Sequence, residues 1–372
     1  MVEGIEVAGN PGLSPDTVLD VRNLQVHFRV RSGVIRAVQD VSFTIRRGQT
    51  VGIIGESGSG KSVTARAIMR LLARNGDIFG GEIRFADPQS AAGSASSSVD
   101  IAQIAPESDA MRQIRGGKIG MIFQEPMSSL SPVYTVGEQI GEAVRTHLAA
   151  HAGGRRLSKG ETRAIAVTML DKVGIPDAKR RVDSYPHQLS GGQRQRVMIA
   201  IALSCNPSLL IADEPTTALD VTTQAQINDL MRELQREFGM AILYITHDLG
   251  IIAEMADEVA VMYMGRIVEQ GDVDTIYYAP KHPYTRALLQ SIPRFGVKRR
   301  SQLEVIRGMA PNPFAIPSGC SFSDRCGDAI AGLCNRVMPE MVSFTSTHRA
   351  ACHLHTQGDK ATAGADSKGA QT

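Results

Sequence analysis

Apolar and polar positions alternate in strand fashion along "VLDVRNLQVHF" and again along "RAVQDVSFTIRRGQ", with Gly33 as the turn between them. The β-branched run "TVGIIG" (50–55) predicts a short buried strand. "SVTARAIMRLLAR" after it predicts a helix, with Ile68, Leu71 and Leu72 at helical spacing. "KIGMIFQ" (118–124), "SLLIADEP" and "AILYITH" are continuous apolar runs with polar ends, the pattern of parallel strands covered on both faces. From about 135 to 205 the pattern is mostly helical, broken at Gly153-Gly154, Pro176 and Pro186. "DEVAVMYMGRIVEQGD" predicts a hairpin turning at Gly265. Past about 272, prolines and four cysteines accumulate and the periodicity fades.

These patterns divide the chain into a loose leader (1–16), a large α/β unit (17–271), a cysteine-bearing C-terminal unit (272–355) and a disordered tail (356–372). The small, polar stretch 86–100 reads as a surface insertion. With 42% hydrophobic and 21% charged residues the composition is globular. A net charge of +2 gives no electrostatic argument for nucleic acid or an anionic membrane. The N-terminus lacks a signal-peptide pattern, and no apolar run approaches the roughly 18–20 residues of a membrane span. A cytosolic chain is expected, in which five cysteines argue for thiols or a metal site and not for disulfides.

The stretch "GESGSGKS" (55–62) carries the chemistry. Gly55, Gly58 and Gly60 let the chain curl, so that backbone N–H groups from Ser57 to Val63, Ser59 among them, converge at a helix N-terminus that favours phosphate. Lys61 would reach the β- and γ-phosphates, and the Ser62 hydroxyl would ligate Mg²⁺. "LLIADEP" supplies the acidic partner at a strand end: Asp213 for Mg²⁺, and Glu214 to polarise the attacking water. Gln124 ends one strand and could ligate the metal or orient water. His247 ends another and could bond a γ-phosphate. "LSGGQRQR" contains a second anion-favouring turn, Ser190, Gly191, Gly192 and Gln193. A site with its own phosphate loop has no need of it, so its simplest use is on ATP held by another subunit. As an isolated string it is equally a helix N-cap, with Ser190 as the cap.

Together these motifs resemble the nucleotide-binding subunit of an ATP-binding cassette transporter. Walker A is "GESGSGKS", the Q-loop is Gln124, the signature is "LSGGQ", Walker B is "LLIADE", the D-loop is "TALD" ending at Asp220, and the H-loop is His247, all in the family's order. The resemblance implies a P-loop NTPase cassette: a RecA-like α/β core, an antiparallel β-subdomain and a helical subdomain at about 135–205. It also implies ATP and Mg²⁺ as ligands, and an aromatic residue stacking on adenine, for which Phe28 is the candidate.

"APKHPYTRALLQSIPR" with "IPSGCSFSDRC" is similar to the C-terminal extension of the dipeptide/oligopeptide and nickel importer branch. That branch implies a second ATPase subunit, two membrane-spanning permease subunits and an extracytoplasmic substrate-binding protein. It also implies a place on the cytoplasmic face of the membrane and no nucleic-acid partner. Import of nickel or another small solute is the alternative within transport. A soluble cassette acting on ribosomes or DNA is the remote one, since such chains carry two cassettes or a coiled-coil insertion. Cys320, Cys326, Cys334 and Cys352 are separated by five, seven and seventeen residues, which is neither a zinc-ribbon nor a ferredoxin spacing. Some members of the branch carry a [4Fe–4S] cluster at matching cysteines. Zn²⁺ and unliganded thiols are the alternatives, with His353 and His355 as possible replacement ligands. "HPYT" by itself reads as a Pro-bounded turn entering a helix, and Cys205 as core.

Overall fold

The computed structural model describes residues 13–88, 98–124, 129–151, 157–217, 219–291, 314 and 317–356. Residues 1–12, most of the 86–100 insertion, the Gly153-Gly154 break and the tail from 357 lie outside them. In chain order the strands are β1 (Thr17–Val30), β2 (Gly33–Arg46), β3 (Thr50–Ile54), β4 (Gly76–Phe85), β5 (Val99–Asp100) and β6 (Ile119–Ile122). Then follow β7 (Leu209–Asp213), β8 (Ala241–Ile245), β9 (Glu258–Tyr263), β10 (Arg266–Asp272), β11 (Met341–Ser343) and β12 (Arg349–Ala351). The order is β5-β4-β1-β2-β10-β9-β3-β8-β7-β6. The first four strands are antiparallel and join the rest through one bridge, Asp40 to Arg266. β9, β3, β8, β7 and β6 run parallel.

Every residue of β3, β6, β7 and β8 is buried, as continuous apolar runs require. Alternate residues serve opposite faces. Leu209, Ile211, Leu243 and Ile245 join Ala65, Ala67 and Ile68 of the helix Lys61–Ile68. Leu210, Ala212, Ile242 and Tyr244 join Ile227, Met231 and Leu234 of the helix Val221–Phe238, and Val197 of Gly191–Leu203. A sheet with helices on both faces follows from this period of two. Residues 136–203 are largely helical (Val136–His151, Lys159–Lys172, Ala178–Arg181, Gly191–Leu203).

Two expectations change. The helix after the phosphate loop ends at Ile68, so Leu71 and Leu72 lie beyond it. Arg70 turns left-handed (φ 52°), Leu71 N–H donates to the Arg66 carbonyl at 2.7 Å and Arg70 N–H to that of Ala67 at 3.0 Å. The Arg115 guanidinium, 45 residues or more away in sequence, then binds the carbonyls of Met69 and Arg70. A distant cation thus satisfies carbonyls that another helical turn would have taken. The C-terminal segment is also more regular than its sequence suggests. β12 pairs with β10 (Glu269 with Ala350) and with β11, and Phe322 packs into the main core.

Candidate functional site

The phosphate loop, Gln124, Glu214 and His247 all sit at the carboxyl ends of neighbouring parallel strands, where α/β sheets bind ligands. The ends are level: Ile53 of β3 and Asp213 of β7 both register with Ile245 of β8.

Gly60, at φ 104°, caps the helix, and a Cβ there would stand 2.6 Å from the Ala37 carbonyl, so the loop needs glycine at this point. Ser57 and Gly58 are exposed at its mouth, while Ser59 and Lys61 are buried. Lys61 Nζ donates to the carbonyls of Gly55 (2.8 Å) and Glu56 (3.1 Å). Burial pulls its pKa down, against the opposing pull of Glu214, Asp213 and Glu56. Ser62 Oγ donates to Asp213 Oδ1 at 2.8 Å. Burial raises the Asp213 pKa, and the Ser62 bond offsets part of that rise.

Glu214 follows β7 in the left-handed region (φ 48°), its N–H bonded to the Ile245 carbonyl. Three side chains hold its carboxylate: Gln124 Nε2 (2.9 Å), Thr217 Oγ1 (3.0 Å) and His247 Nδ1 (3.2 Å). Burial raises its pKa, but the His247 and Thr217 bonds, with the charges of His247 and Lys61, together outweigh burial and leave it below its ordinary value. Glu214 is therefore ionised at neutral pH and can accept a proton. The Ser62 hydroxyl and the Asp213 carboxylate, in contact at 2.8 Å, offer oxygen donors of the kind that suits Mg²⁺. Bound there with ATP, Mg²⁺ would neutralise charge on the phosphate oxygens.

Ser190 caps the helix Gly191–Leu203 in a reciprocal box: its Oγ accepts Gln193 N–H, and Gln193 Oε1 accepts Ser190 N–H. Gly191 is exposed, and a Cβ there would meet only the Leu219 side chain, at 4.0 Å. Asp220 caps the helix Val221–Phe238 through Thr223, which lowers its pKa. Phe28, on β1 opposite Ile35, is half-buried, with its ring over Gly76.

Cys334 Sγ accepts the Ile330 N–H at 3.3 Å, and the backbone N–H groups of Phe322, Asp328 and Leu354 offset part of the rise that burial gives the Cys320, Cys326 and Cys352 thiols. Burial lifts the Cys320 thiol to about 11, and the other three thiols add to the rise. Among the described residues, no three His, Cys, Asp or Glu side chains are gathered to hold a single metal ion. His353 Nε2 bonds the Val337 carbonyl and His355 Nε2 that of Lys281. Cys205 is buried and its thiol sits 3.6 Å from the Ala143 carbonyl.

Reasoning from motifs missed three residues. Glu56 lies inside the phosphate loop, yet its side chain turns away to Arg325, and its N–H bonds the Tyr284 hydroxyl. Tyr284 belongs to "HPYT", whose tyrosine, in a turn otherwise explained by His282 and Pro283, was the available signal. Nothing local marks Arg325.

Residues 38–217 match the family described as ABC transporter, and residues 268–334 the family described as oligopeptide/dipeptide transporter, C-terminal region. A putative peptide import ATP-binding protein of Brucella melitensis is 51% identical over 346 residues, covering 91% of this chain and 98% of that protein. The dipeptide transport ATP-binding protein DppD of Bacillus subtilis is 44% identical over 92% of this chain and 96% of its own length. A dimeric structure of a post-hydrolysis state of the ATP-binding cassette MJ0796, bound to ADP and Pi, superposes with TM-score 0.56 at 28% identity. That match covers 68% of this chain and 98% of the cassette.

Proposed function

The chain belongs to the ATP-binding cassette transporter family, and on that premise we propose that it is the ATP-hydrolysing subunit of an importer of dipeptides or oligopeptides. One observation carries the enzymatic part: a single carboxylate, Glu214, is held by Gln124, Thr217 and His247 beside the phosphate loop. Backbone N–H groups of residues 57–63 and Lys61 bind the phosphates, Ser62 and Asp213 hold Mg²⁺, and Phe28 takes the adenine. Glu214 accepts a proton from water as the water oxygen bonds to the γ-phosphorus. The bond from that phosphorus to the β–γ bridging oxygen breaks and ADP leaves. His247 holds Glu214 in place from one side and Gln124 from the other.

The exposed signature turn, Ser190 to Gln193, is assigned to the ATP of a second cassette, a reading supported by the dimeric state of the solved relative. Peptide import rests on the C-terminal match and on the printed names of the relatives. It brings with it two permease subunits, an extracytoplasmic binding protein and a peripheral place at the cytoplasmic face. No helix among the described residues is long and apolar enough to cross a membrane. Affinity purification of the tagged chain from membranes tests this. Two permease subunits and an ATPase partner should co-purify, and recovery on ribosomes or DNA would overturn the transport reading.

For the four cysteines we infer a [4Fe–4S] cluster in preference to Zn²⁺. A lone zinc needs all four sulfurs about 2.3 Å from one point, whereas a cluster carries its own iron and sulfide and accepts thiolates from separated loops. The backbone N–H groups beside the sulfurs would stabilise thiolate. Anaerobically purified protein should contain iron and acid-labile sulfide. Zinc without iron would replace the cluster, and metal-free protein with an ordered 317–356 segment would defeat both.

A further inference from the structure

Every polar handle of Glu56 is occupied. Its N–H donates to Tyr284 Oη at 2.9 Å, and its carbonyl accepts from Lys61 Nζ and from Ser59 N–H. Its carboxylate receives both arms of the Arg325 guanidinium, at 2.7 and 2.9 Å. Two of these holds come from far along the chain, 228 residues away for Tyr284 and 269 for Arg325. Tyr284 stands in the helix Pro283–Gln290, and Arg325 directly precedes Cys326. The Arg325 side chain is 6% exposed, also donates to Tyr263 Oη at 3.2 Å, and lies over the Tyr263 ring. Tyr263, Tyr284 and Phe322 pack against one another with centroids 4.6 to 5.4 Å apart. They form a solid support under the ion pair.

We propose that the C-terminal segment is a strut for the phosphate loop, with Arg325 and Tyr284 as positioning residues that set the affinity for ATP through Glu56. The loop works by aiming backbone N–H groups at phosphate, so its strength depends on holding one conformation before the ligand arrives. A bidentate guanidinium–carboxylate pair fixes direction as well as distance. The buried geometry makes this pair rigid where an exposed one would not be. Arg325 and Tyr284 reach the loop through Glu56. Both act through the position of residues 55–59.

The proposal rests on the ATPase reading, and its test separates the two. ATP affinity of the full chain is measured by calorimetry for the unaltered protein and for Arg325→Ala, Arg325→Lys, Glu56→Gln, Tyr284→Phe and Arg325→Ala/Glu56→Gln. Failure of the unaltered chain to bind ATP would defeat the ATPase reading itself. Given binding, Arg325→Ala should weaken affinity roughly tenfold, the scale of one charge-assisted bond. Arg325→Lys should recover part of it, and the double variant should be no weaker than the poorer single. Tyr284→Phe removes only a buried hydroxyl, so the fold survives, and it should weaken affinity several-fold. In the assembled complex KM for ATP should rise while kcat at saturating ATP stays within about twofold, a split that general loss of stability would not give. Affinities of Arg325→Ala and Tyr284→Phe both within twofold of the unaltered chain would overturn the strut, as would additive losses in the double variant.

Discussion

Glu214 occupies the left-handed region at φ 48°, a conformation that costs a non-glycine residue about 1–3 kcal/mol. Bonds to Gln124, Thr217 and His247, together with a backbone bond to Ile245, hold it there. Strain tolerated beside a phosphate loop fits a residue positioned for chemistry. Glu214→Gln keeps the shape and removes the proton acceptor. Turnover in the purified complex should fall by about 10²–10⁴-fold, with ATP binding retained. An unchanged rate would show that another group takes the proton. Because hydrogen bonding and the charges of His247 and Lys61 hold the Glu214 pKa below its ordinary value, activity limited by this group should be lost only on acidification. The motif residues at this scale were legible in sequence, since a loop of eight consecutive residues places its own atoms. Gln124 and His247 were legible singly, but their convergence with Thr217 on one carboxylate was not.

At the scale of elements, the turn before the helix Pro283–Gln290 shows what a buried cap does. His282 is 1% exposed, its Nδ1 accepts Tyr284 N–H at 3.0 Å, and its own N–H is held by Glu269. Burial drives the His282 pKa down to about 3, with Arg286 and His355 adding to the fall. Above pH 6.5 the imidazole is neutral folded or unfolded, and this group makes stability no function of pH. Below 6.5 the unfolded chain gains a proton that the folded chain refuses until about pH 3. Stability should therefore fall on acidification, by up to about 2 kcal/mol at pH 5. Urea midpoints of the unaltered chain and of His282→Asn, compared at pH 7 and pH 5, check this. An equal acid loss in the variant would assign it to other groups. The strands, the hairpin at Gly265 and the helix existence were readable from periodicity. The early end of the helix at Ile68 was not, because a guanidinium from residue 115 supplies the cap.

The whole molecule raises the question of which ATP the signature turn serves. Gly191 opens a helix, is exposed, has only the Leu219 side chain within 4 Å of a would-be Cβ and sits outside the left-handed region, so a side chain fits there. Gly191→Glu adds a carboxylate at a helix N-terminus, where it should stabilise this chain by about 0.3–1 kcal/mol. The same charge would oppose the phosphates of a facing cassette. ATP binding by the isolated chain should be unchanged while ATPase activity of the complex is lost. Equal loss of ATP binding in the isolated chain would place the turn in its own pocket.

What the sequence determined by itself is whatever neighbours along the chain fix between them. That includes the phosphate loop between a buried strand and a helix, Asp213-Glu214 at the end of another, and the cap-forming Ser-Gly-Gly-Gln. Their geometry depends on a few consecutive dihedral angles, and residue type constrains those. The strand order β3-β8-β7-β6 decided which strand ends meet, and so put Gln124 and Glu214, 90 residues apart, at 2.9 Å. Only the tertiary structure pressed the cysteine-bearing segment against the phosphate loop. Hydrophobic period reports which face of an element is buried, and it carries no address for the partner. The Glu56–Arg325 pair therefore exists only once the β10 edge and the aromatic packing around Phe322 bring residue 325 to residue 56.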